Sequence, residues 1–243
     1  MCEIIAVTSG NEGSGKTMFA ANFAAVLAMS GCRVLLMDLN AGLRNLDMTL
    51  GLESQVVYDV ADVVRGICPL EKALVRDDRF KALYLLSASQ DHDKAYLRKA
   101  DMEHMCGILS RRFDFIIIDT PSGLGKDWKA AVSQADLAIV LMTQEHSSIR
   151  ETESLDLSLQ KCGITSRYAV INRVRRQDCD NDRFPGLEEI DEAIHMPIAG
   201  GVIFDENVHL AMNSSIPVVC RKDSYIVRNF KRIFLRIYND RRK

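Results

Sequence analysis

The stretch Gly10-Asn11-Glu12-Gly13-Ser14-Gly15-Lys16-Thr17 decides the fold. It matches G-x-x-x-x-G-K-[ST] without a gap. Glycines let a backbone wrap around phosphate oxygens without Cβ clashes. Successive N–H groups, and the positive end of the helix that follows, then hold the anion. In such a loop Lys16 neutralises β- and γ-phosphate charge and the Thr17 hydroxyl sits on Mg²⁺. The flanks fit a strand–loop–helix unit. Glu3–Thr8 (EIIAVT) reads as a buried strand, and Thr17–Met29, rich in Ala, Leu, Met and Phe, reads as a helix ending before Gly31.

Further out, apolar runs recur at Arg33–Asp38, Leu83–Leu86, Phe113–Asp119, Leu137–Thr143, Tyr168–Asn172 and Ile198–Phe204. Runs of about six apolar residues suit a parallel sheet covered on both faces. Helical spacing appears at Val56–Val64, Ala95–Leu109, Ser148–Gln160 and Glu206–Met212. The alternation predicts an α/β, doubly wound, mostly parallel sheet with helices on both faces. With no Pro/Ser/Gly-rich linker, residues 1–243 read as a single domain, and 181–186 as its most loop-like stretch. Asp119 ends one apolar strand about 100 residues after the loop, where an acid orders the water shell of Mg²⁺. Asp38 ends another and is a further carboxylate candidate.

Composition narrows the class. The chain is 47% hydrophobic and carries a net charge of −2, which excludes disorder as the main state. It has no apolar run of about 18 residues, the length of a membrane-spanning helix. The opening MCEIIAVTSG lacks the basic region and long apolar stretch of a secretory signal. Seven scattered cysteines include no Cys-x-x-Cys pair, so they read as reduced thiols of a cytoplasmic protein rather than a metal site. The charge is unevenly spread. Residues 221–243 hold nine Lys/Arg against Asp223 and Asp240, a net +7, which leaves −9 for the rest. Over about 224–238, Ile226, Phe230, Ile233, Phe234 and Ile237 share one helical face, with Arg228, Lys231, Arg232 and Arg236 largely elsewhere. A basic amphipathic helix can lie on an anionic membrane. No recognition-helix or aromatic-interleaved pattern points to nucleic acid.

Several further segments resemble the ParA/MinD family of P-loop ATPases, over nearly the whole chain. VLLMDLNAGLRNLDMTLGLE (34–53) and VVYDV (56–60) resemble its first switch, and FDFIIIDTPSGL (113–124) its second. LYLLSASQDHDK (83–94), TQEHSSIRE (143–151), INRVR (171–175), GGVIFDENV (200–208) and NSSIPVV (213–219) are similar to family segments in the same order. The resemblance implies ATP or ADP with Mg²⁺ as cofactors. It places Gly10, Asn11, Glu12, Gly13, Ser14, Gly15, Lys16, Thr17 and Met18 along the phosphates, with Thr17, Asp38 and Asp119 around the metal. Lys16, Asp38 and Asp119 would carry the chemistry. Asn172 would hydrogen-bond adenine, with Arg173 beside it; from the residue alone, a turn former at a strand end is the readier reading of Asn172.

Two departures fall on the chemistry. The family's loop reads Lys-Gly-Gly-x-Gly-Lys-Thr, and its first lysine reaches the partner subunit's nucleotide. Here that position is Asn11, followed by Glu12. The family also carries an Asp two residues after the Asp38 position, and here it is Asn40, which cannot act as a general base. Met18 replaces a usually polar residue. Lys126 in the second switch would either supply the missing charge or be a solvated loop lysine. Glu12 would act in trans as a base or as a repulsive element.

The expected function is a nucleotide-binding switch or adaptor in bacterial cell division or spatial positioning, with weak ATP hydrolysis. The alternatives are an active ATPase that dimerises on a membrane, a flagellar- or pilus-positioning relative, and a partner protein that no longer uses nucleotide. Expected partners are a second copy or a related chain, a regulatory protein, and an anionic membrane surface at the inner face of the cell membrane. In the family the Pro-Val-Val segment (217–219 here) precedes the last core helix, so the basic helix is expected to pack on the sheet with its charged face in water.

Overall fold

A computed structural model describes residues 2–42, 44–91, 97–175, 184–205, 215–220 and 225–241. The elements are β1 (Glu3–Thr8), α1 (Lys16–Met29), β2 (Val34–Asp38), α2 (Asn45–Leu50), α3 (Val60–Val64), α4 (Leu70–Ala73), β3 (Leu74–Arg76), β4 (Leu83–Leu86), α5 (Lys99–Leu109), β5 (Phe115–Asp119), α6 (Lys126–Val132), β6 (Leu137–Met142), α7 (His146–Lys161), β7 (Arg167–Val174), α8 (Leu187–Ala193), β8 (Ile198–Ile203) and α9 (Tyr225–Asp240).

Among the described residues the strands form one sheet in the order β3-β4-β2-β5-β1-β6-β7-β8. Every pairing is parallel except β3 with β4. The strands are nearly all apolar because both faces are covered. Ile5, Val7, Leu36, Ile117, Ile139 and Val170 point to the layer that holds α1, α2 and α9. Leu35, Met37, Ile116 and Ile118 point to the opposite layer with α4, α5 and α6. On that same side Ala138, Val140 and Ile171 meet α7, α8 and Trp128.

Helix α1, mostly apolar and packed between two layers, is buried at twelve of its fourteen positions. It ends in a Schellman turn, with Cys32 N–H donating to Leu27 O and Gly31 at φ +93°. Outside α1 lies α9, which buries Ile226, Phe230, Ile233 and Ile237. The rings of Phe19 and Phe230 are 5.0 Å apart, and Tyr168 donates its hydroxyl to Asp240 at 3.0 Å. The basic helix therefore packs on the core, as the motif order predicts, with Arg228, Lys231, Arg232 and Arg236 exposed.

Some boundaries differ from the sequence reading. The helix expected over 56–64 starts only at Val60, because Asp59 caps it: its carboxylate accepts from Ala61 N–H and Asp62 N–H, which holds the preceding residues extended. Helix α5 begins at Lys99 rather than 95, and residues 92–96 lie outside the described residues. The helix expected at 206–212 also lies outside them, as do residues 181–183 of the loop-like stretch.

Candidate nucleotide site

The site is built at the carboxyl ends of the central strands. β1 lies between β5 and β6, which lead to opposite halves of the sheet, and a doubly wound sheet opens a crevice at that reversal. Strand register brings the acids together: Val7 is level with Asp119, and Asp119 with Asp38. The loop after β1 curls over them into α1. Ser9 closes its first turn by donating to Asn11 O at 2.6 Å. Gly13 and Gly15 have φ of +73° and +94°, which only glycine adopts freely. A Cβ on Gly15 would lie 2.3 Å from Asn172 Nδ2, so this glycine is required twice.

Lys16 is buried at 7% exposure and donates to Ser9 Oγ at 3.0 Å and Ser122 Oγ at 3.2 Å. Burial pushes its ammonium below the usual lysine range, while Asp119 and Glu12 pull it back up. Thr17 donates to Asp119 Oδ2 at 2.6 Å. Asp119 Oδ1 is buried and lacks a well-formed hydrogen bond. Burial raises the Asp119 carboxyl, opposed by the Thr17 hydroxyl, Lys16 and the Asn40 side chain. Asp38 is raised too, by burial and then by Asp119. Its two oxygens accept from Asn40 N–H at 2.9 Å and Leu46 N–H at 3.2 Å. Asp38 thus organises the chain leading into α2.

These groups floor a cavity of about 640 Å³. Glu12, Gly13, Gly15, Lys16, Thr17 and Met18 line it from the loop, Asn40, Asn45, Met48 and Thr49 from the α2 region, and Ser122 from the second switch. Asn172 and Arg173 line it from β7, and Val202–Asp205 and Ser215 close the far wall. The volume suits a small-molecule ligand. Asn172 donates from Nδ2 to Ser14 O at 2.7 Å and accepts Arg173 N–H on Oδ1 at 2.9 Å, with Arg173 at φ +58°. It joins the β7 end to the loop, and one N–H and one lone pair remain.

Sequence-predicted residues divide by position. Asp38 and Asp119 lie beneath the cavity floor, both fully buried. Gly10, Asn11 and Ser14 shape the loop and do not line the cavity. Gly10 marks instead where α7 crosses, since a Cβ there would lie 2.5 Å from Glu151 Cβ. Asn11 turns its Oδ1 inward, buried without a partner. Lys126 is exposed at the start of α6 and is absent from the cavity lining. Ser9, Ser122 and the α2 residues were not foreseen. A serine just before the loop and one inside DTPSGL were the available signals. Trp128, the single tryptophan, also escaped notice; it donates to Thr8 Oγ1 at 2.9 Å, directly below the loop.

The residues fit a magnesium nucleotide. A glycine cradle, a buried ammonium, a hydroxyl and a buried carboxylate are the groups such a ligand uses. Among the described residues no cluster of three or more His, Cys, Asp or Glu could hold a metal alone. Mg²⁺ is commonly held by one or two protein groups together with phosphates and water.

Residues 2–165 match the family model described as an AAA domain. The septum site-determining protein MinD of Bacillus subtilis is 38% identical over 240 residues, covering 97% of this chain and 90% of the relative. This chain belongs to the MinD family. MinD of Aquifex aeolicus, solved in a MinC:MinD cell division protein complex, superimposes with a TM-score of 0.87 at 33% identity, covering 98% of this chain and 96% of that one. MinD of Pyrococcus horikoshii, solved with Mg-ADP, gives 0.86 at 26% identity, covering 96% and 94%. In this MinD-family chain the loop carries Asn11 and Glu12, and Asn40 follows Asp38 by two residues.

Proposed function

We propose that this chain is a MinD-type nucleotide switch in division-site placement, holding ATP or ADP with Mg²⁺ between the loop and the two switches and hydrolysing ATP slowly. The observation that carries the proposal is the alignment, at one end of β1, of a positive-φ glycine cradle, Lys16, and Thr17 bonded to Asp119. In this reading loop N–H groups hold the phosphates, and Lys16 leaves its two serines to meet them. Thr17 would hold Mg²⁺, with the carboxylates of Asp119 and Asp38 behind it. Bound magnesium supplies charge neutralisation at the phosphates. Val202–Asp205 and Arg173 border the base end, and Asn172 offers its remaining donor and acceptor.

Slow hydrolysis follows from what is missing. Asn11 brings no cation to developing phosphoryl charge, where such a charge is worth about 10³–10⁵ in rate. Asn40 can orient water but cannot take its proton. The nucleotide state would instead set the Asp38-anchored α2 segment and the Ser122 loop, both of which touch the cavity. A regulatory protein or a second nucleotide-binding chain would read that state. The exposed cationic face of α9 supports contact with an anionic membrane surface, each Lys/Arg there adding about 1 kcal/mol. Among the described residues no helix is long and apolar enough to cross a membrane. Isothermal titration with Mg-ADP tests the proposal. Binding that Lys16→Ala removes is expected, and no heat or competition at millimolar nucleotide would refute it.

A further inference from the structure

We infer that Glu12 sets the specificity of the cavity, disfavouring the terminal phosphate of a nucleoside triphosphate so that the diphosphate binds at least as tightly. The inference rests on the nucleotide reading above and adds which form of the ligand the resting protein holds.

Glu12 is exposed yet lines the same cavity as Lys16 and Thr17. It makes no hydrogen bond or ion pair among the described residues. It shares that lining with Lys16, whose ammonium is the group that meets the β- and γ-phosphates in a loop of this pattern. Two acids, Glu12 and Asp205, and two bases, Lys16 and Arg173, line the cavity, and Asp119 and Asp38 lie beneath. Among the described residues the lining thus offers no surplus of positive charge. A triphosphate carries one more negative charge than a diphosphate, and that charge sits at the Lys16 end. Asn11 adds no cation to receive it. A unit charge about 4 Å away in a water-like dielectric changes an affinity by about fivefold.

The test is titration of Mg-ADP and of a magnesium complex of a non-hydrolysable ATP analogue into wild type, Glu12→Gln and Glu12→Asp, at low and high salt. Thermal melts confirm that each variant folds. Glu12→Gln is expected to strengthen analogue binding relative to ADP by about fivefold, with Glu12→Asp close to wild type. The preference should shrink in high salt, as it must for an exposed charge. An affinity ratio that stays within twofold in Glu12→Gln overturns the inference and leaves nucleotide binding intact. Failure of wild type to bind either nucleotide overturns both.

Discussion

Gly15→Ala is expected to damage the loop far more than Gly13→Ala, although both glycines have positive φ. Gly13 at +73° has no heavy atom within 4 Å of where a Cβ would stand. Alanine there meets only the left-handed backbone penalty, about 1–2 kcal/mol. Gly15 at +94° carries that penalty and a collision as well, its Cβ lying 2.3 Å from Asn172 Nδ2. The Asn172–Ser14 bond must break to relieve it, leaving buried polar groups unpaired at about 1–3 kcal/mol. The combined loss is about 2–5 kcal/mol. Urea unfolding of both single variants, with Mg-ADP titration of each, reads the difference. Asn172→Ala provides the internal control. It loses the bond on its own account but removes the obstacle, so Gly15→Ala/Asn172→Ala should fall short of the sum of its parts by at least about 1 kcal/mol. Equal losses for the two glycines, or strict additivity in the double variant, would refute the contact as the reason for Gly15.

Asp119→Asn should stabilise the nucleotide-free protein while removing the Mg²⁺ dependence of nucleotide binding. Burial raises the Asp119 carboxyl, so ionising it works against the fold: the group's contribution is complete below the unfolded-state value and is lost as pH rises through the folded one. Urea melts at pH 4 and pH 8 should show the variant gaining at pH 8, by about 1–3 kcal/mol, with a flatter profile than wild type between them. Phe230→Ala should lose about 3–5 kcal/mol, because its ring is fully buried against Phe19. Circular dichroism melts check this, and a loss below 1 kcal/mol would argue that α9 is not part of the core.

The strand–loop–helix unit was legible because each part has a local cause: β1 is a continuous apolar run, the loop needs its glycines, and α1 is apolar all round. β3 was not, since three residues added antiparallel to an edge leave no periodic trace. Helix α2 was hidden for a related reason. It is six residues long, and its start depends on Asp38 accepting the Leu46 N–H from eight positions away. The candidate site divides in the same way. Lys16 and Thr17 announce themselves by spacing, and Asp119 by ending an apolar strand. The bond of Asn172 to Ser14 joins residues 158 apart, and Gly10 answers to a helix more than 130 residues downstream, so neither constraint is written near the residue it acts on.

Asn11 and Asn40 carry the central claim, a site that keeps its nucleotide machinery and lacks the groups that drive hydrolysis. Its most direct test is steady-state phosphate release by wild type and by Asn11→Lys/Asn40→Asp, both saturated with Mg-ATP. The account predicts slow release by wild type and at least about a tenfold rise in the double variant, abolished by adding Lys16→Ala. Rapid wild-type turnover, or a rate unchanged by the two restorations, would contradict it.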